Sequence, residues 1–127
     1  MRRVFESPWY HLDEAAPSSL WLRRTSEPFP SLAELDRVCA PVLAEIARRA
    51  PARLLTDLRE APSRNDPEFE ERFAPYRAQM TRAAARNAVL VRSRVGALQI
   101  RRLAQRDDAD LEVFHEDADA REWLTRG

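Results

Sequence analysis

Short apolar runs alternate with amphipathic stretches along most of the chain. Residues 53–58 are mostly apolar and lie between charged and proline-containing segments, a pattern that predicts a strand buried on both faces of a sheet. Residues 87–92 repeat this pattern, and residues 111–115 show it in part. Between them lie stretches with apolar residues at three- and four-residue steps, which predict amphipathic helices. This alternation is typical of an α/β fold with parallel central strands.

The start of the chain has a different pattern. Residues 1–8 end in Ser-Pro and are expected to be a lead-in. Residues 9–13 and 20–25 are rich in aromatic and apolar side chains, and the segment between them has the proline and serines of a turn. An antiparallel hairpin is therefore predicted ahead of the parallel strands.

Four helices are predicted from their start signals and apolar stripes. The first begins at Ser31 with a capping box, and the second has Asp66 as its N-cap, followed by proline. The third covers about residues 97–105, and the fourth is capped by Asp117. The expected fold class is α/β, with a mixed, mostly parallel sheet of about five strands and about four helices, in a single domain over residues 1–127.

Composition narrows the class of protein. Of the 127 residues, 44% are hydrophobic and 33% are charged, and the formal net charge of zero argues against a general nucleic-acid binder. No apolar run approaches the roughly 20 residues of a membrane span, so no integral membrane association is expected. The start lacks the apolar region of a signal peptide, and the single Cys39 cannot form an internal disulfide. A cytoplasmic protein with a buried structural thiol is therefore expected.

Several short motifs, in this order, resemble the SpoIIAA-like family of STAS domains, whose fold is related to the lipid-binding CRAL-TRIO domains. They are Leu55-Thr56-Asp57-Leu58, the loop Arg64-Asn65-Asp66 before Phe69-Glu70, Val95-Gly96-Ala97-Leu98-Gln99, and the ending 114–124 with its Ala-x-x-Trp-Leu finish. The resemblance covers roughly residues 9–125. It implies a STAS-type α/β domain that acts through protein contacts, with no cofactor.

One region departs from the motif of the STAS-type antagonists. Those proteins carry Asp-Ser-Ser-Gly-Leu, with a phosphorylated serine, at the start of the helix after the third strand. Here the corresponding stretch reads Ser63-Arg64-Asn65-Asp66-Pro67-Glu68, without the paired serines or the glycine. A kinase-controlled switch is therefore not predicted. Asp66 is either an N-cap or a fixed negative charge in place of the phosphate.

Two predicted loops leave the carboxyl ends of the buried strands, where open α/β sheets place their binding surface. If the two strands are parallel neighbours, the loops lie side by side and their donors form one anion-binding patch. The candidate residues, which we call the loop patch, are Arg59, Ser63, Arg64, Asn65, Asp66, Ser93 and Arg94. The expected ligand of this patch is an acidic or phosphorylated protein partner.

Charge is segregated along the second half of the chain. From Arg72 to Arg106 there are nine arginines and no acidic residue, whereas eight acidic residues and one arginine follow between Asp107 and Glu122. Such segregation either builds a positive face for an anionic partner or is neutralised by ion pairs within the fold. The sequence leaves both interpretations open.

No residue set has the spacing of an active site or a metal site, so an enzyme is not expected. His11 and His115 lie far apart in sequence, and there is no glycine-rich phosphate loop. The main functional hypothesis is a non-catalytic regulatory or scaffolding module that binds a protein partner through the loop patch. The alternative, taken from the CRAL-TRIO relationship, is a carrier or sensor of a small apolar or anionic ligand. Exposed edge strands also allow a homodimer.

Overall fold

A computed structural model describes residues 1–64 and 66–126 of the chain. These residues form a six-stranded mixed sheet and four α-helices. The strands are β1 (Arg2–Glu6), β2 (Tyr10–Ala16), β3 (Ser19–Arg24), β4 (Arg53–Asp57), β5 (Arg86–Leu90) and β6 (Glu112–Phe114). The helices are α1 (Leu35–Arg49), α2 (Pro67–Arg82), α3 (Arg94–Arg106) and α4 (Asp117–Thr125). The predicted α/β class is therefore confirmed.

The strands lie in the sheet in the order in which they occur along the chain. β1, β2 and β3 are antiparallel, as predicted for the hairpin, and β3 to β6 are parallel. The sheet thus has six strands instead of about five, and three of its five pairings are parallel. The additional strand comes from residues 1–8, which were expected to be a lead-in. Their strand β1 pairs with β2 in a register that shifts between Arg3 and Phe5.

Three helices cover one face of the sheet, and α4 covers part of the other. Helices α1, α2 and α3 lie on the face that presents Leu54 and Val89, which we call the three-helix face. On the opposite face, Ala120 and Leu124 of α4 pack against Leu55. The crossovers between β3, β4, β5 and β6 all step in the same direction along the sheet, so right-handed connections place α1, α2 and α3 on one side.

Two helices begin with side-chain caps. Asp66 accepts the backbone N–H of Phe69 at 3.2 Å, which confirms its predicted role as the N-cap of α2. Ser93 accepts the N–H of Gly96 at 3.0 Å, and α3 therefore starts at Arg94, earlier than the predicted start near residue 97. The helix starts earlier because the Ser93 hydroxyl caps its first turn, whereas the predicted start was based on the apolar pattern alone.

The other two predicted caps are wrong. The Ser31 hydroxyl donates to the Glu34 carboxylate at 3.2 Å instead of accepting a backbone N–H, and a 3₁₀ turn over Leu32–Glu34 precedes α1. Asp117 is the first residue of α4, so its negative charge lies at the positive end of the helix without a capping bond. Both helix starts therefore depend on packing and charge.

The turns of the chain form with little use of glycine. The sequence has only two glycines, and Gly96 lies inside α3. Left-handed backbone positions are taken by Ser18 in the β2–β3 turn, Ala50 after α1 and Asp108 after α3, with φ of 62°, 43° and 53°. Aspartate tolerates this conformation better than most residues, whereas Ala50 adopts it with a steric penalty.

Candidate ligand-binding cavity

A cavity of about 400 Å³ lies between the three-helix face of the sheet and helices α2 and α3. Most of its lining is apolar. Its exposed lining residues belong to the loops that follow β3, β4 and β5, and they are Pro28, Pro62, Ser63, Arg64, Arg92 and Ser93. The cavity therefore opens at the carboxyl edge of the parallel strands, and it extends inward beneath the two helices.

Side chains from three adjacent strands form the floor of the cavity. Thr56 and Val89 are register partners at the centre of the floor, because alternate residues of a strand share a face. Asn87 lies nearer the amino ends of the strands and donates to the Thr81 carbonyl of α2 at 2.8 Å. At the carboxyl end Arg24 extends the floor, one residue beyond the last register pair of β3 and β4.

Aromatic rings form one wall of the cavity. Phe69 and Phe73 of α2 stack with their centroids 5.3 Å apart, and Phe29 stacks on them at 5.9 and 5.8 Å. The buried residues of the sixteen-residue helix α2 are Glu70 and Met80, whereas Phe69 and Phe73 are only half-buried. Phe73 packs in part against the main core, and both rings also line the cavity, which leaves them half-buried. Their apolar surface is therefore available to a ligand.

Helices α2 and α3 form the roof of the cavity, and ion pairs join them. The buried Glu70 accepts from Arg102 Nη2 at 3.1 Å and lies 3.9 Å from Arg106 Nη1. Near the other end of the roof, Arg77 Nε donates to Asp107 at 2.8 Å. Both helices bury few side chains, so these polar contacts contribute to holding them over the sheet.

The two predicted loops lie side by side at the mouth of this cavity. The residues of the loop patch that line it are Arg59, Ser63, Arg64 and Ser93. Asp66 caps α2 next to them, and Arg94 is exposed at the first position of α3, outside the lining. Asn65 lies outside the described residues. The binding role of the loop patch stays a prediction.

Two arginines of the loop patch are paired within their own loop. Arg59 donates to Asp57 at 3.0 and 2.8 Å. Burial raises the pKa of Asp57, but the hydrogen bonds and charge of Arg59 outweigh it, so the pKa is lowered overall. Arg64 donates to Asp66 at 2.9 Å, which lowers the pKa of Asp66, and its guanidinium lies 4.7 Å from the ring centre of Phe69. The patch is therefore less positive than its composition suggests.

Sequence patterns did not identify several residues that line the cavity away from the predicted loops, which are Tyr10, Arg24, Phe29, Arg77 and Asn87. One signal was available for Arg24. It shares a strand face with Leu20 and Leu22, so strict alternation places it among core side chains. No sequence pattern indicates that α2 stands far enough from the sheet to leave a cavity.

Residues 1–64 and 66–126 were compared with the requirements of a metal site and of a membrane-spanning helix by their own geometry and composition. Within them, no three His, Cys, Asp or Glu side chains are grouped in a way that could hold a metal ion. None of the helices in the same part of the chain has the length and apolar character needed to cross a bilayer.

A scan of protein-family models, a search of curated proteins and a search of solved structures each found no match to this chain. The resemblance to the SpoIIAA-like family therefore stays a prediction from short motifs.

Proposed function

We propose that the protein binds a small, largely apolar ligand in the cavity between the sheet and helices α2 and α3. The observation that carries this proposal is the cavity itself, which has a volume of about 400 Å³, a mainly apolar lining and polar groups at its mouth. Small-molecule sites are concave and mainly apolar, with a few polar groups that set orientation. Their usual volumes are about 300–1,000 Å³, so the ligand belongs to the small end of that range.

A protein that binds such a ligand without catalysing a reaction acts as a carrier or a sensor. This role agrees with the alternative derived from the CRAL-TRIO relationship. A cytoplasmic location is part of the proposal, because a single buried Cys39 thiol is compatible with a reducing compartment.

Filling the floor of the cavity tests this proposal. Thr56 lies at the centre of the floor and is only half-buried, so Thr56→Phe occupies space that the wild type leaves open. Decan-1-ol and 2-naphthylmethanol are titrated into the purified protein by isothermal calorimetry. We expect both to bind the wild type and to lose about tenfold or more in affinity in the variant, equivalent to about 1.4 kcal/mol of binding free energy.

The matched control is Thr125→Phe. Thr125 is exposed at the end of α4, which packs on the opposite face of the sheet, so the same substitution leaves the cavity unchanged. This control is expected to bind both alcohols like the wild type, and circular dichroism verifies that both variants fold. The proposal is wrong if the wild type binds neither alcohol, or if Thr56→Phe binds both with unchanged affinity.

A second candidate function is docking of an acidic protein partner beside the mouth, as in a regulatory or scaffolding module. The observation that favours it is an apolar pair on α3, where Val95 is 74% and Leu98 is 65% exposed. The exposed side chains of Arg92 and Arg94 lie next to this pair in sequence. Protein interfaces combine an apolar centre with arginines, and large exposed apolar side chains often mark such contacts.

The double variant Arg94→Glu, Leu98→Asp tests this second candidate. Both side chains are exposed, so the fold should be retained. The first substitution reverses the charge at position 94, and the second replaces the apolar side chain at position 98 with a charged one. A partner first captured by the wild type and then purified is expected to lose binding to the double variant and to keep it with Thr56→Phe. Undiminished binding of the double variant contradicts the docking role.

A further inference from the structure

Five arginines line the cavity, and most of their charges are compensated. They are Arg24, Arg59, Arg64, Arg77 and Arg92. Three have carboxylate partners at 2.8 to 2.9 Å, namely Arg59 with Asp57, Arg64 with Asp66 and Arg77 with Asp107. The side chain of Arg92 is exposed at the mouth, where water solvates it. Arg24 has neither kind of compensation.

The side chain of Arg24 is buried at the inner edge of the mouth, with only 7% of its surface exposed. Its Nη1 donates to the carbonyls of Trp9 and Thr25 at 2.8 and 3.2 Å, and its Nη2 donates to the Glu27 carbonyl at 3.2 Å. No carboxylate in the described part of the chain lies within ion-pair distance of it. Burial lowers the pKa of Arg24, but a guanidinium stays protonated in proteins.

The hydrogen-bond donors of Arg24 are only partly used. A guanidinium has five N–H groups, and three of those on Arg24 reach backbone carbonyls. The Nε–H and the second Nη2–H have no acceptor among residues 1–64 and 66–126. The guanidinium lies 4.2 Å from the ring centre of Phe29 and 5.4 Å from that of Tyr10, so aromatic faces supply part of the stabilisation that water would give.

A buried charge is destabilising unless it is paired, because it has lost its hydration. Since Arg24 lines a cavity and keeps two unused donors, we propose that the ligand is an amphipathic anion whose carboxylate or phosphate pairs with Arg24. This inference rests on the proposed ligand-binding function. Arg24 lies at the carboxyl end of the floor, so the acidic group stays near the mouth. The apolar part then extends inward between Phe73 and the centre of the floor at Val89.

Matched acids and alcohols test this inference. Decanoate and decan-1-ol share one apolar chain, and 2-naphthoate and 2-naphthylmethanol share one ring system. At neutral pH the acids are ionised and the alcohols are not. We expect the wild type to bind each acid about tenfold or more tightly than its alcohol, because charge-assisted hydrogen bonds are stronger than neutral ones. Arg24→Gln should remove this preference and leave the affinity for the alcohols largely unchanged.

Arg23→Gln is the matched control. Arg23 is the neighbouring residue on β3, but its side chain lies on the opposite face of the sheet and does not line the cavity, so this variant should keep the preference for acids. Arg24→Lys retains the positive charge and should keep a part of the preference. If Arg24→Gln does not fold, the comparison of acids with alcohols in the wild type and in Arg24→Lys decides the question.

The outcomes separate the inference from the proposed function. If the wild type binds acids and alcohols equally, the anionic class of ligand is wrong while the apolar site stands. The same conclusion follows if Arg24→Gln keeps the preference for acids. If the wild type binds neither alcohol, the proposed function itself fails.

Discussion

Neighbouring arginines on β3 have opposite environments, because successive side chains of a strand point to opposite faces of the sheet. Arg23 lies on the face that α4 partly covers, with its guanidinium 4.0 Å from the ring centre of Trp21. Arg121 of α4 lies over the same ring at 4.3 Å. Arg24 points to the three-helix face and is buried at the cavity. One step along the strand therefore separates a guanidinium on the α4 side of the sheet from one that lines the cavity.

Two titratable residues of the main core ionise with difficulty. Burial raises the pKa of Cys39 from 9.0 to about 11, and burial also raises the pKa of Tyr10 well above its ordinary value. The folded state therefore favours the protonated forms of both side chains. The contribution of each group to stability is complete below the pKa of the unfolded chain, and it is lost as pH rises through the pKa of the folded chain.

We predict that stability falls between pH 9 and 11 through Cys39, and above pH 10.0 through Tyr10 as well, by at most about 1.4 kcal/mol per pH unit for each group. Urea unfolding at a series of pH values measures the free energy of unfolding. Cys39→Ala and Tyr10→Phe each remove one of the two groups, so the decline should be shallower in each variant even though their stability at neutral pH is lower. If the free energy of unfolding declines equally in the wild type and in the double variant Cys39→Ala, Tyr10→Phe, other groups cause the decline.

The roof of the cavity is the element whose position depends most on polar contacts. α2 carries two of the cavity's aromatic rings on a helix that buries Glu70 and Met80, and α3 buries Ala97 and Leu103. Each helix thus has less buried apolar area than its length allows. The ion pairs of Glu70 and Arg77 connect the two helices directly.

We predict that Glu70→Gln loosens this roof. The substitution keeps the size of the side chain but removes the charge that pairs with Arg102 and Arg106, which are themselves half-exposed. The free energy of unfolding should fall by about 1 kcal/mol, and amide hydrogen exchange should become faster in α2 and α3 while that of β4 changes little.

Glu71→Gln is the control for this substitution, because Glu71 is the next residue on the same helix and its side chain is exposed. It should leave exchange in both helices unchanged. Equal effects of the two substitutions would mean that the loss of charge on α2, and not the contact with α3, is responsible.

The segregated charges of the second half of the chain are only partly neutralised within the molecule. Among the described residues, a single ion pair, Arg77–Asp107, links the arginine-rich segment to the acidic one. Arg102 and Arg106 pair with Glu70, which precedes both segments, and Arg86 donates to the Trp123 carbonyl. Much of the positive charge thus remains on the surface around α3, next to the cavity mouth.

The two edge strands of the sheet, β1 and β6, are poorly suited to pairing with a second copy of the chain. The outer strand β1 carries the charged residues Arg2, Arg3 and Glu6 and a register irregularity, features that oppose pairing with another chain. At the other edge, β6 has only three residues. The homodimer suggested by exposed edges therefore stays a prediction, and neither edge favours pairing between strands of two chains.

Local patterns determined the order of the elements. Apolar periodicity predicted the α/β class, the β2–β3 hairpin and the buried strand β4, because a strand or a helix repeats its contacts over a few residues. Asp66 was predicted as a cap for the same reason, since a cap contacts a backbone N–H three residues away. Strand β1 was missed because its charged residues conceal an edge strand that forms only through pairing with β2.

The site itself was decided by the tertiary structure. Arg77 and Asp107 are thirty residues apart, and Arg24 meets a cavity whose wall is formed by Phe69 and Phe73 of a distant helix. Whether a lining arginine has a carboxylate partner depends on such distances between remote segments, which periodicity does not encode. The volume between α2 and the sheet is likewise a property of packing, because it depends on how closely the two surfaces approach. The sequence by itself therefore determined the elements that have a local pattern, whereas the tertiary structure decided strand β1, the space between α2 and the sheet, and the uncompensated charge of Arg24.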